Sequence, residues 1–179
     1  LTEAQAIQQI DQLIKRHHIM GTLLLTTNGP AGVRIRTYGY ADDASRIRNT
    51  KTEAYPLASL QKAVTGAIIQ KLINQGKLSM TTKLSRFYPG IPYANQITIR
   101  QLLDHRSGIR MVEITPKTVL PTETARLNFT LRHLRSTGNH AYAYSNANFT
   151  VLAGVIRQVT HKSYQTALYN DIIRPLGLK

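Results

Sequence analysis

Tyr55-Pro56-Leu57-Ala58-Ser59-Leu60-Gln61-Lys62 is the stretch on which the reading of this chain turns. It opens an apolar-periodic run in which Leu60, Val64, Ala67, Ile68, Leu72 and Ile73 recur at helical spacing until Gly76 stops it. Pro56 and the small Ala58 predict that Ser59 stands at the helix start, where backbone N–H groups have no intrahelical acceptor. A hydroxyl there is open to a substrate carbonyl, and the helix dipole favours the oxyanion that attack creates. Lys62, at i+3, shares a helix face with Ser59 and lies within reach of its Oγ. Serine is a poor nucleophile until a base takes its proton. A lysine serves when burial or positive potential lowers its pKa, and the apolar helix is expected to supply that desolvation. The S-x-x-K spacing alone is weak. Eight serines and nine lysines in 179 positions give a chance count of roughly 0.4. From these four residues alone, an N-cap serine followed by a solvated lysine is the plainer reading.

A second group shifts the balance. Tyr144-Ser145-Asn146 stands just before an apolar helix carrying Phe149, Leu152, Val155 and Ile156. A tyrosine there can share the proton transfer as phenolate or as relay to Lys62, and Asn146 offers a substrate amide both a donor and an acceptor. A packing tyrosine and an asparagine N-cap are the alternative. Tyr93-Ala94-Asn95 has the same Y-x-N spacing but lies in a Pro/Gly-rich loop after Tyr88-Pro89-Gly90-Ile91-Pro92, so it is discounted.

Outward from these motifs, residues 3–18 have helical spacing and end in Lys15-Arg16-His17-His18, cations that suit a helix C-terminus. Residues 21–27 read as a strand, Asn28-Gly29-Pro30 as its turn, and 33–40 as the antiparallel partner. Residues 42–52 read as polar loop. Short helices are predicted near 99–105, 122–136, 146–160 and 163–173. Two strands cannot bury both faces of a sheet, so further strands are expected from elsewhere. The start, Leu1-Thr2-Glu3-Ala4, is read as a trimmed boundary from which a leader or anchor was removed.

Hydrophobic residues make up 42% of the chain, which sets disorder aside. Lys and Arg number 23 against 9 Asp and Glu, a formal net charge of +14. Such a surface is drawn to polyanions: nucleic acid, anionic lipid or bacterial wall polymers. The basic residues are scattered rather than clustered with aromatics, which argues against nucleic acid. With no cysteine there is no disulfide, thiolate nucleophile or Cys-based zinc site. No stretch approaches 18 apolar residues.

On these residues the chain resembles the serine beta-lactamase and penicillin-binding-protein superfamily, in the branch of class C beta-lactamases, D,D-carboxypeptidases and related esterases. The likeness runs almost end to end. It includes the Ser59 segment; Gln75-Gly76-Lys77-Leu78-Ser79 with Thr82-Lys83-Leu84; residues 97–109, with Leu102-Leu103-Asp104-His105-Arg106-Ser107-Gly108; Tyr144-Ser145-Asn146 with Leu152-Ala153-Gly154-Val155-Ile156; and Pro175-Leu176-Gly177-Leu178. Ordered matches at sensible spacing are far more specific than any one of them.

The resemblance implies an α+β, beta-lactamase/transpeptidase-like fold. Residues 1–54 would be the N-terminal helix and two antiparallel strands, and 55–179 the helical subdomain with the motifs. It implies an acyl-serine mechanism without metal or cofactor. Ser59 would attack, assisted by Lys62 and Tyr144; Asn146 would orient the acyl group; the Ser59 N–H would be one oxyanion donor. His105 and Ser107 would hold their turn rather than react. The superfamily's third motif, a K-T-G or H-x-G strand, has no counterpart: Lys117-Thr118-Val119 lacks the glycine. The C-terminal strands are expected from a longer protein, another chain or an exchanged copy. The charge favours a cell-surface or secreted bacterial hydrolase of D-alanyl peptides or D-alanyl esters beside anionic wall polymer. A beta-lactamase is the alternative enzyme, and an inactive module that binds wall polymer the alternative of another class.

Overall fold

In a computed structural model, which describes residues 2–26 and 32–178, the chain forms two compact units, residues 1–56 and 57–179. The first begins with helix α1, Glu3–Arg16. Thr2 and Gln5 form a capping box at its start, and Lys15 and Arg16 occupy its last turn. Strands β1, Gly21–Thr26, and β2, Val33–Tyr38, pair antiparallel from Gly21↔Tyr38 to Thr26↔Val33. The turn expected at Asn28-Gly29-Pro30 lies outside the described residues. Asp11 ties α1 to β2, accepting from Arg36 Nη1 (2.9 Å) and from the Tyr38 hydroxyl.

Two features differ from the strand-then-loop reading of residues 33–52. The second strand breaks at Gly39, whose φ of +62° turns the chain where a Cβ would lie 2.6 Å from Met20 Cγ. Beyond it, β3 (Tyr40–Asp42) pairs with β4 (Ile47–Arg48) inside the expected polar loop. Asp42 Oδ1 accepts the Ser45 N–H (3.1 Å), and the Arg46 guanidinium covers the Tyr40 ring at 4.3 Å. An Asx turn and a cation–π contact hold this hairpin in place of an apolar face.

The second unit is built around one helix. A 3-10 turn, Ala58–Leu60, leads into α2, Gln61–Asn74. Then come α3 (Ile99–Leu103), α4 (Glu123–His133), α5 (Asn146–Thr160) and α6 (Tyr164–Leu168), the last running into a π-helical turn, Tyr169–Ile173. The predicted helices are all present; α5 has its predicted bounds and the others are a few residues shorter at their ends. A two-residue ladder, β5 (Ile109–Arg110) with β6 (Arg135–Ser136), was not expected. Val151, Leu152, Val155 and Ile156 of α5 are fully buried, in one cluster with Ile68, Ile69 and Leu72 of α2 and Ile99 and Leu102 of α3. Each such side chain contributes about 1.5–3 kcal/mol of apolar burial. α5 carries a notch at Gly154. A Cβ there would collide with the Tyr88 hydroxyl and approach Leu127 Cδ1 to 3.1 Å. Polar ties complete the bundle. The Glu123 carboxylate of α4 accepts the Tyr164 and Gln165 N–H groups at the start of α6, at 2.8 and 2.9 Å.

Among the described residues no helix is long and apolar enough to cross a membrane.

Candidate active site

The backbone presents Ser59 under strain. Ala58, just before it, has φ +46°, a left-handed conformation that costs a residue with a β-carbon roughly 1–2 kcal/mol. Ser59 follows in the 3-10 turn, ahead of the first turn bond, from Leu60 N–H to Leu57 O at 3.0 Å. Its own N–H therefore has no acceptor within the turn and is available to an oxyanion.

Two predicted residues converge on the hydroxyl of Ser59. Lys62 Nζ donates to Ser59 Oγ at 3.1 Å, and Tyr144 Oη lies 2.8 Å from the same oxygen, 85 residues away in sequence. Lys62 is half-buried, its Nζ 5.1 Å from the centroid of the Tyr144 ring and 5.8 Å from that of Phe149. The hydrogen bond of Lys62, then that of Ser59, holds the Tyr144 phenol below its ordinary value, with the Glu113 charge opposing. Tyr144 is 50% exposed, so a substrate can reach its hydroxyl. A phenolate steadied by an ammonium is a base for the serine proton.

Asn146 is the first residue of α5, with Ser145 as N-cap. Its Nδ2 donates to Glu113 Oε1 at 2.7 Å, which leaves Oδ1 free to accept. Glu113 was not singled out in the sequence. It lies in a loop without periodicity, 33 residues from its partner, and its only prior signal is that of one acid among nine in a strongly basic chain. Two cavities meet at Asn146, Thr150 and Arg126. One, of about 590 Å³, runs past Lys62 and Phe149; the other, of about 610 Å³, is bordered by Glu113 and Lys117.

His105 and Ser107 are buried behind the site, as expected of a structural turn. Ser107 Oγ donates to Asn148 Oδ1 (2.6 Å) and accepts the Ile109 N–H (3.0 Å). Tyr93 of the second Y-x-N stretch packs its ring against Gly138. Lys117-Thr118-Val119 lies in a loop.

Comparison with known proteins places the chain in a family. The Beta-lactamase family model matches residues 6–179. The chain is similar to the protein flp of Staphylococcus aureus (strain N315), 33% identical over 186 residues, spanning 96% of this chain and 37% of that protein. Among solved structures it superposes on the D-amino acid amidase of Ochrobactrum anthropi SV3, complexed with L-phenylalanine amide (TM-score 0.84, 26% identity, 98% of this chain and 51% of that one). It also superposes on a penicillin-binding protein from Bacillus halodurans (TM-score 0.77, 26% identity, 93% and 53%). With a family match over nearly its whole length and this mixed helix-and-sheet fold, the chain, which spans 37% to 53% of the length of these relatives, belongs to the serine beta-lactamase and penicillin-binding-protein superfamily.

Proposed function

We propose that this chain carries the acylating machinery of a bacterial cell-surface serine hydrolase that forms an acyl-Ser59 intermediate on D-alanyl substrates, D-alanyl esters ahead of D-alanyl peptides. The observation that carries the reading is the convergence of Lys62 Nζ and Tyr144 Oη on Ser59 Oγ. The Tyr144 phenolate takes the serine proton as Oγ bonds to the substrate carbonyl carbon. The bond to the leaving alcohol or amine then breaks as the Tyr144 hydroxyl returns that proton to it. Water cleaves the acyl-Oγ bond in the second half, releasing the acid and restoring the serine.

The preference for an ester rests on Glu113. Its carboxylate and the Asn146 Oδ1 are two acceptors at the start of α5, close enough for the Glu113 charge to be felt at Tyr144, in a protein of net charge +14. Such a pair suits the α-ammonium of a free D-alanyl group. The acylated amine of a peptide or a beta-lactam has no such charge. Similarity to a D-amino acid amidase supports an acyl group of this class. The basic surface supports anionic wall polymer as the carrier of the ester.

Two measurements test it. A fluorescent penicillin or an activated D-alanyl ester should label the chain covalently, and Ser59→Ala should abolish labelling. Absence of Ser59-dependent labelling by both reagents overturns the acyl-enzyme reading. The ester should acylate at least about 10-fold faster than its N-acetyl derivative, and Glu113→Gln should erase that ratio, as expected for loss of a charge-assisted contact worth roughly 1.5–3 kcal/mol. An N-acetyl ester that reacts equally fast overturns the preference for a free amine.

A further inference from the structure

We propose that His105 is a positioning residue for Tyr144: a neutral imidazole protonated on Nε2, whose Nδ1 anchors the backbone beside Tyr144 and whose ring face backs the phenol against Ser59. This rests on Ser59 being the acylated group and goes beyond the turn-holding role expected of His105.

The tautomer follows from its neighbours. Ser107 Oγ donates to Asn148 Oδ1 at 2.6 Å, so the Asn148 amide turns its Nδ2 donor toward His105 Nδ1, at 3.2 Å. The Ser145 backbone N–H donates to the same Nδ1 at 3.2 Å. One nitrogen facing two donors carries no proton, so the proton is on Nε2. A further bond, Ala143 N–H to His105 O at 2.9 Å, fixes the approach to Tyr144 from the other side.

The ring completes the arrangement. His105 is 8% exposed and packs on Tyr144 with centroids 4.4 Å apart and planes tilted by 32°. Phe149 stands at 5.3 Å and Tyr142 edge-on at 6.2 Å. Tyr144 has one face on this imidazole and its hydroxyl on Ser59, while its own backbone neighbour Ser145 is held by Nδ1. The phenol of an exposed side chain is thereby aimed before substrate arrives.

The same contacts make the arrangement sensitive to acid. The charged or titratable groups facing His105 are Lys62 from α2, Asp104 from its own turn, and Tyr142 and Tyr144 from the opposite segment. Burial first, then the Lys62 charge, hold the imidazole below the ordinary histidine value, with the Asp104 charge opposing. Protonation would turn an Nδ1–H against two donors and set a cation beside Lys62. Because the folded value is depressed, this contribution to the fold is complete above the ordinary histidine pKa. It falls away as pH drops from there through the folded value.

The test is an NMR titration of the intact chain with labelled histidine and tyrosine, which needs no turnover. In the wild-type chain the Tyr144 ring signal should respond as His105 protonates. In His105→Phe, which keeps a ring without the acceptor, and in His105→Gln, which keeps an acceptor without the ring, Tyr144 should titrate nearer the ordinary phenol value of about 10. At neutral pH the Tyr164 ring signal should be the same in the wild type and in both variants. Tyr144 titrating unchanged in both variants, or showing no response to His105 in the wild type, overturns the proposal. The wild-type response stands even if a variant does not fold. Loss of Ser59-dependent labelling would break the acyl-enzyme reading instead, without touching this readout.

Discussion

Tyr93-Ala94-Asn95 and Tyr144-Ser145-Asn146 share a spacing and nearly a composition, yet only one of them meets the nucleophile. The tyrosines are almost equally exposed, 47% and 50%. The first sits at φ +62° with its ring on Gly138, in a loop with no long helix behind it. The second leads into the fifteen-residue α5, whose buried face fixes the helix start, and it is backed by the His105 ring. Spacing places a hydroxyl and an amide near one another. What aims them is the rigidity of the element that follows and of the side chain behind.

The contrast breaks most sharply at the two hydroxyls. Tyr144→Phe should slow acylation by an activated D-alanyl ester about 10²–10⁴-fold, the range of a lost general base. It should also flatten the pH profile. In the wild type, reactivity should rise with pH through a value below that of an ordinary phenol, because only the phenolate can accept the serine proton and Lys62 and Ser59 favour that form. A wild-type profile without that rise would remove Tyr144 from proton transfer. At the amides, Asn146→Ala should lower kcat/KM by about 10-fold or more, since it removes a hydrogen bond to a charged group. Asn95→Ala should leave kcat/KM unchanged, and equal losses at both positions would erase the distinction.

Smaller effects sharpen the structural side. Gly138→Ala, at φ +68° with the new Cβ 3.3 Å from the Tyr93 ring, should cost about 1–2 kcal/mol in urea unfolding and spare the chemistry. The middle residues bear the smallest change. Among the described residues Ser145 Oγ is buried with no hydrogen-bond partner, whereas the corresponding position in the other turn is the buried Ala94. Ser145→Ala should therefore be neutral or slightly stabilising, within about 0.5 kcal/mol by the same unfolding measurement. A loss beyond 1 kcal/mol would mean that the hydroxyl has a role the contacts do not reveal.

What was legible in the sequence follows from how local each signal is. Ser59 and Lys62 are one helical turn apart on a strongly periodic segment, so their shared face can be read directly. Tyr144 and Asn146 could be found because a clear apolar helix follows them. The bond from Asn146 to Glu113 spans 33 residues and starts in a loop, where neither periodicity nor propensity marks a partner. The β3–β4 hairpin escaped for the opposite reason: its interactions are local but polar, and apolar alternation is absent from it. The His105 turn was recognised as structural, but its hold on Tyr144 depends on which ring nitrogen carries the proton, a property of the folded neighbours alone.

Gly154 gives the site a mechanical weakness. Two turns of α5 separate it from Asn146, roughly 12 Å at 1.5 Å per residue. The Tyr88 hydroxyl lies in the space where any β-carbon at Gly154 would go. The notch works as a keyway: Tyr88 is seated against the bare backbone of α5, on the same helix whose mouth, Tyr144 to Asn146, carries the site residues. A single methyl there must displace the end of the Tyr88 ring and crowd Leu127, or shift the helix itself. Damage to the chemistry can therefore arise in the middle of a helix, at a residue that bears no functional group.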